Sequence, residues 1–421
     1  MRSRSEHAPA ELGGGPGSLT HGTESAYAWA RLVAAVLVCT IGGVGMWSVV
    51  VALPAVQAEF GVARGDASLP YTITMIGFGV GGILMGRLSD RHGIMLPVVL
   101  GTCALALGYV LASRAATLGQ YAAAQGLLIG FGSSATFAPL MADTSLWFTR
   151  RRGIAVAIFA SGSYLAGTVW PPVVQHFIDA AGWRQTLMGI AVFCVLSVLP
   201  MSLALRRRAP AIGHGSHHAH PLSWPARPLG LPAGSLQALL IIAGVACCVA
   251  MSMPQVHVVA YCTDLGYGAA RGAQMLSLML GCGIVSRLAF GWISDRIGGL
   301  RTLLLGSALQ GIALLLFLPF DGLVSLYVIS AMFGLFQGGI VPAYAIIIRE
   351  FFPPREAGVR VGLVITATLF GMAFGGWFSG AIFDLTGSYD AAFVNGVLWN
   401  LLNLSIALWL LRRSVRRLAY A

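Results

Sequence analysis

The chain reads as an all-α membrane protein with 12 transmembrane helices in two six-helix bundles and both termini in the cytoplasm. Three observations carry that reading. Of 421 residues, 57% are hydrophobic and only 10% charged, with a mean hydropathy of +0.79. An average soluble domain carries about 25% charged residues. A fold in water needs polar atoms over its surface, and this chain has too few, so a soluble enzyme of two or three domains is excluded. Disorder is excluded too, because 20 Phe, 10 Trp and long aliphatic runs supply abundant burial. The second observation is a series of apolar runs of spanning length, and the third is where the arginines fall between them.

A spanning helix needs roughly 20 mostly apolar residues. Twelve segments qualify, at 29–54, 69–88, 94–113, 119–142, 153–175, 184–205, 236–260, 272–293, 300–319, 323–348, 358–382 and 391–411. Residues 1–28 form a disordered cytoplasmic tail with Gly13-Gly14-Gly15 and no apolar core, unlike a cleavable signal peptide, so the first helix directs insertion. The first bundle occupies 29–205. A cytoplasmic linker at 206–235, rich in Arg, Pro and His, leads to the second bundle at 236–411 and a basic cytoplasmic tail at 412–421.

The net charge is +11, and all 26 basic residues are arginines. With the N-terminus in the cytoplasm, inner loops and tails collect 21 of them, and outer loops hold four: Arg64, Arg114, Arg184 and Arg271. That asymmetry sets the orientation. The arginines cluster at the ends of apolar segments, as in Arg150-Arg151-Arg152 and Arg206-Arg207-Arg208, and form no stripe with interleaved aromatics. Nucleic acid is therefore not an expected partner. The seven cysteines lie in or beside apolar segments without zinc or redox spacing and read as packing residues.

An internal repeat links the halves. Gly86-Arg87-Leu88-Ser89-Asp90-Arg91-His92-Gly93 follows the second helix, and Gly291-Trp292-Ile293-Ser294-Asp295-Arg296-Ile297-Gly298 follows the eighth, at an offset of 205. A second echo, at 204, pairs Trp147-Phe148 with Phe351-Phe352. Parallel six-helix repeats place a substrate site at mid-membrane between the halves. Asp90 and Arg91 can pair across the cytoplasmic gate, with Asp143 on the fourth helix as a further partner and Glu350 in the matching place on the tenth. The other reading is a surface salt bridge that only orders the loop.

These residues resemble the major facilitator superfamily, whose loop after helix 2 carries Gly-x-Leu-Ala-Asp-Arg-x-Gly-Arg-Arg; Ile94 and Met95 replace the trailing basic pair here. The resemblance implies the major facilitator fold, with Asp90, Arg91, Asp143, Asp295, Arg296 and Glu350 as gating residues that hold the outward-facing state. Further likeness points to its monocarboxylate transporter and oxalate/formate antiporter branch. The first helix carries Gly42-Gly43-Val44-Gly45-Met46-Trp47; the fifth opens Trp147-Phe148-Thr149-Arg150-Arg151-Arg152 and continues through Ala160, Gly162 and Gly167. The last two helices supply Gly376, Gly380, Asp384, Thr386-Gly387, Tyr389 and Phe393 in the branch's order.

One arginine stands inside the membrane. Arg287 lies about 6 Å of helical rise from the middle of the eighth segment, where burial costs at least ~2.5–3.5 kcal/mol. The position one turn earlier is Gly283, not an acid. A guanidinium facing a wet cavity can receive a carboxylate bidentately; the alternative is an ion pair with another helix. The resemblance adds that its members hold the substrate carboxylate with a helix 8 arginine in the context Arg-x-x-x-Gly-x-x-x-Asp-Arg, matched by Arg287, Gly291, Asp295 and Arg296. Proton-coupled members add an Asp before that arginine and a Lys on helix 1, and oxalate-type members a Lys on helix 11. This chain has no lysine, which suits a monoanion better than a dianion.

His257, toward the outer end of the seventh helix, is the substitute titrating group, or else a packing histidine. Tyr261, one turn on, and Gln337 and Tyr164 complete the substrate-binding candidates, although each can equally satisfy a neighbouring helix. The tract His214–His220 lies in the linker without cysteine or acidic partners, and Gly371-x-x-x-Gly375 and Gly376-x-x-x-Gly380 read as close helix packing. The expectation is a secondary transporter of a small organic monoanion working by alternating access. A carboxylate exchanger of the oxalate-formate type, an exporter of another small metabolite and a non-transporting membrane sensor are the alternatives. No metal or cofactor is expected, and no nucleophile–base pair marks an enzyme. The expected partners are the small carboxylate anion, protons and the lipid bilayer, for a monomer. The all-arginine set suggests a GC-rich bacterial genome and hence an inner-membrane location.

Overall fold

The computed structural model describes residues 24–148, 151–207 and 228–419. The 214–220 histidine tract lies outside them. Among the described residues there is no strand. The helices are α1 (Ala26–Phe60), α2 (Arg64–His92), α3 (Met95–Ser113), α4 (118–147), α5 (Arg152–Ala181), α6 (Trp183–Ser202), α7 (Ala233–Asp264), α8 (Ala269–Ile297), α9 (Gly299–Leu316), α10 (Leu323–Phe351), α11 (Pro354–Thr386) and α12 (Asp390–Ala419). Eleven are long and apolar enough to cross a membrane; α4 is the exception.

The segment expected at 119–142 is not one helix. It runs as Leu118–Ala124, a π-helical stretch Gln125–Gly130, Phe131–Ser134, a turn over 135–137 and Ala138–Trp147. Proline explains the turn. Pro139 has no N–H for the carbonyl four residues back, and its ring crowds that carbonyl, which belongs to Ala135. The same device recurs in α10. Pro342 stands four residues after Gly338, and the helix breaks at Gly338-Gly339 before resuming at Ile340. The repeat offset of about 204 therefore superposes the two breaks as well as the two loops. Pro171 and Pro172 interrupt no helix; α5 passes straight through them.

Burial follows two groups of helices. One apolar core is built mainly from α7 to α12, and two smaller cores come from α1 and α3 to α6. Val50, Leu53, Tyr71 and Met75, from α1 and α2, enter the first of these cores, so the groups share apolar contact.

Two seams join the groups. Along α2 and α11, the Thr72 hydroxyl donates to Ala373 O at 2.8 Å, and a Cβ on Gly376 would stand 2.9 Å from the Tyr71 ring. Along α5 and α8, Ser277 Oγ donates to Thr168 O. That carbonyl lies four residues before Pro172, so the proline leaves it without its helical partner and the other half supplies one.

The α2–α11 seam is tight at the end of the molecule that carries the 61–63, 265–268 and 387–389 turns, here the far end, where a Cβ on Gly380 would stand 2.9 Å from Arg64 O. Both seams loosen toward the near end, where residues 24 and 419 lie. A Cβ added at Gly86, Gly153, Gly291, Gly358 or Gly362 would meet nothing within 4 Å.

Candidate functional site

Arg287 projects from α8 into the α5–α8 seam. Its Nη1 donates to Ala160 O at 3.1 Å, and its guanidinium lies 4.4 Å from the centre of the Tyr164 ring. The Tyr164 ring fills the space that a side chain at Gly283 would need, which is why α5 can approach here. Nε is buried with no hydrogen-bond partner, and among the described residues no carboxylate lies within 4 Å of the guanidinium. The cation is thus held by a ring face and one carbonyl, without a counter-ion. An anion is the chemistry that completes it.

Gln337 closes the upper piece of α10 at the break. It is fully buried, its Oε1 accepts from Gln255 Nε2 at 2.8 Å, and its own Nε2 has no partner. Ser286, beside Arg287, is likewise buried with an unpartnered hydroxyl, and its Cβ would touch a side chain at Gly338. On the α4 side, Gln125 donates to Tyr121 Oη at 3.0 Å, and its Oε1 is buried without a partner. Gln337 thus stands at the α10 break, whereas Gln125 opens the π-helical stretch of α4, ten residues before the turn at 135–137; both have unused hydrogen-bonding capacity. π-Helical turns inside α-helices are frequent at functional sites.

His257 lies elsewhere. The helix from Ala269 to Arg287 spans about 27 Å and that from His257 to Asp264 about 10 Å, so the two residues differ by roughly 16 Å in depth. The structure brings Arg287 to Tyr164, and His257 to Tyr261 through the ring of Tyr389, but does not bring the two pairs together. His257 is fully buried, with Nε2 2.7 Å from Gly376 O and Nδ1 3.2 Å from Tyr389 Oη. Tyr261 packs edge-on to Tyr389 and Phe393.

Tyr389 belongs to a clamp between the halves. Arg64, expected in an outer loop, is the first residue of α2 and is buried. Its Nη1 donates to Tyr389 Oη at 2.6 Å, its Nη2 to Asp264 Oδ1 at 3.0 Å, and its guanidinium lies over Phe383. Asp384 supplies the other contact. Its two carboxylate oxygens accept from the backbone N–H groups of Arg64 and Gly65 at 2.7 and 2.6 Å. Those amides open α2 and have no partner within it, so an acid from α11 caps a helix of the other half.

At the near end, the expected gating residues lie apart in this conformation. Asp143 is not a partner of Asp90 and Arg91. It binds Arg31 of α1 at 2.8 Å, and Arg31 is 3% exposed and also lies over Trp147. Arg31 enters from α1 beside the lower piece of α4 and claims the carboxylate first. Asp90, Arg91, Asp295 and Arg296 are exposed. Among the described residues none of the four has an ion-pair partner, and Arg296 stacks on Trp292 of its own helix. Glu350 does bridge elements, accepting from Gly299 N at 2.8 Å and so capping α9.

Two groups of helices joined along α2–α11 and α5–α8, with broken helices at equivalent depths, form the frame of a known transporter architecture. The family model described as Major Facilitator Superfamily matches residues 35–324 and 279–419. The chain belongs to this superfamily.

Among major facilitator relatives, monocarboxylate transporter 13 of Bos taurus is 29% identical over 336 residues, covering 78% of this chain and 75% of that protein. The MFS-type transporter opdF of Penicillium oxalicum is 27% identical over 281 residues, covering 66% and 65%. A solved bacterial homologue of the human lysosomal transporter Spinster, in an inward-facing and occupied conformation, matches with a TM-score of 0.72 at 12% identity, over 93% of this chain and 97% of that one. The nucleoside transporter NupG matches at 0.69 and 14%, over 92% and 99%. At those identities the structures share fold alone. The chain is a multi-pass membrane transporter, not an enzyme.

Sequence reasoning missed the clamp and the breaks. The breaks had a signal, since Pro139 and Pro342 sit at matching places in the repeat. For the clamp, only Asp384 and Tyr389 stood within a recognised pattern.

Proposed function

We propose that this major facilitator protein is a secondary transporter of a small organic monoanion, with Arg287 taking the carboxylate. The observation that carries the reading is a guanidinium in the seam between the halves, stacked on Tyr164 and, among the described residues, without a carboxylate partner. The monocarboxylate transporters among its relatives support the same substrate class. Among the described residues Arg287 is the one seam cation without a carboxylate partner, which favours a monoanion over the dianion of an oxalate-type exchanger. Tyr164 steadies the guanidinium, and Gln337 offers a free amide N–H beside the α10 break.

Twelve crossings, with α4 counted as one, and the arginine asymmetry support a topology with both termini and the 206–235 linker in the cytoplasm. The far end is then extracellular, and this conformation is open inward. Alternating access consists of releasing the Arg64 clamp while the loops at Asp90–Arg91 and Asp295–Arg296 come together. The all-arginine basic set favours a bacterial inner membrane.

The test is counterflow into proteoliposomes loaded with unlabelled lactate, pyruvate, formate or oxalate, with labelled anion outside. Arg287→Ala removes one partner of a desolvated charge pair, worth about 2–5 kcal/mol, so uptake should fall roughly 30-fold or more. Arg287→Lys should also fail, because an ammonium cannot reproduce the fork. Unchanged counterflow in both variants at equal membrane levels overturns the reading.

A further inference from the structure

We infer that His257 is a proton-binding site whose occupancy opposes closure of the far end, read out through Tyr389 by the Arg64 clamp. The inference rests on the alternating-access reading, not on the identity of the cargo. It follows from counting hydrogens. Gly376 O can only accept, so His257 Nε2, 2.7 Å away, carries a proton. Arg64 can only donate, so Tyr389 Oη accepts from Nη1 at 2.6 Å. The Tyr389 hydroxyl proton is then free to point at His257 Nδ1, 3.2 Å away. Each of the three links Arg64–Tyr389, Tyr389–His257 and His257–Gly376 then has one donor and one acceptor, and only with a neutral imidazole; Arg64 Nε stands outside this count, buried and without a partner.

Adding a proton at Nδ1 breaks this order. Nδ1–H would have to donate to the oxygen that already accepts from Arg64, and the hydroxyl proton of Tyr389 would lose its acceptor. Two cations would then flank one phenol oxygen, with His257, Tyr389 and Arg64 all buried. The carboxylates near the site offset part of the added charge, but none supplies the missing acceptor for the Tyr389 hydroxyl proton or a second acceptor for Nδ1–H. From α2 come Arg64 and the Tyr71 ring, the latter packed on Gly376. From α11 comes Asp384, whose oxygens are both engaged by the α2 amides, and from α7 comes Asp264, engaged by Arg64 Nη2. Tyr261 and Tyr389 present ring surface, and Asp390 opens α12 at the exposed rim.

A proton on His257 must therefore leave before the clamp closes, or hold it open. The far-open state binds one proton more than the far-closed state. Acid on the far side thus favours the state that loads from that side, a pH response built without the family's helix 8 acid or helix 1 lysine.

The backbone amides of Arg64 and Gly65 report the clamp directly, because their hydrogen bonds go to Asp384 of the other half. Hydrogen exchange of the 62–68 region, in the full chain reconstituted in nanodiscs and corrected for intrinsic rates, measures closure without any substrate. Between pH 7.5 and 5.5 protection should fall, by at most about tenfold per pH unit for a single proton. In His257→Gln it should stay flat. Tyr389→Phe, which severs the link and leaves the imidazole, should also be flat, and decides the matter if the histidine variant does not fold. Constant protection in the wild type overturns the inference. So does the same loss in His257→Gln or Tyr389→Phe, which would place the titration on Asp384. The outcome is independent of Arg287 counterflow, so failure of either leaves the other standing.

Discussion

Gly380→Ala should hold the far end open. A Cβ there would lie 2.9 Å from Arg64 O, 2.9 Å from Ser68 Oγ and 3.0 Å from Gly65 Cα. Two of those atoms are backbone and cannot rotate away, so α2 and α11 must separate or strain. Overpacking of this kind costs about 1–3 kcal/mol. The contacts exist only while the far end is closed, so the whole cost falls on that state. The closed-to-open ratio should drop about 5- to 150-fold. The helix-propensity gain of alanine over glycine, about 1 kcal/mol, applies in both states and cancels. Spin labels at the exposed positions 66 and 386, one on each side of the clamp, would measure the separation by pulsed resonance in a background freed of its seven cysteines. Gly380→Ala should populate a longer distance. Gly375→Ala is the control, because its Cβ would press on Ser252 and, at 2.7 Å, on Val249 O of α7 within the same half. It should lower stability without moving the distance. A wild-type distribution in Gly380→Ala, or an equal shift in Gly375→Ala, would refute the assignment of these glycines to different faces of α11.

Two further predictions concern the near end. Asp143→Asn leaves Arg31 buried and unpaired, at a cost of about 3–5 kcal/mol, so the melting temperature in detergent should fall sharply; the double change Arg31→Met with Asp143→Leu should restore most of it, and no restoration would show that the two do not act as a unit. Glu350→Ala removes the acceptor at Gly299 N and should cost about 1 kcal/mol of unfolding stability, whereas Glu350→Gln keeps an acceptor and should lose less; equal losses would assign the effect to charge alone.

The helices were legible because apolar length is a local signal, and Arg287 because a charge within an apolar run has no cheap explanation. The clamp was not, since Arg64, Asp264, Asp384 and Tyr389 come from the ends of four helices, separated by up to 325 positions. Asp143 shows the same limit. Its surroundings in sequence pointed to the neighbouring loop, while its partner Arg31 lies 112 positions away and was counted only as a topology charge. The paired glycines of α11 were read as packing residues, and only the fold separates Gly371 and Gly375, which meet α7, from Gly376 and Gly380, which meet α2. His257 illustrates a subtler case. Its chemistry was visible, but whether it faced cargo or a gate depended on which residue stood 3.2 Å from Nδ1.

The two helix breaks carry a mechanical consequence. Below the α4 break, the piece Ala138–Trp147 is bolted to α1 by Asp143 and Arg31; below the α10 break, Ile340–Phe351 is bolted to α9 by Glu350 and Gly299. Each half thus owns a lower flap, set off by a break and braced to a neighbouring helix of its own half. Such a carrier can bend at the waist as well as rock, and a label on either flap would move further than one on the same helix above its break.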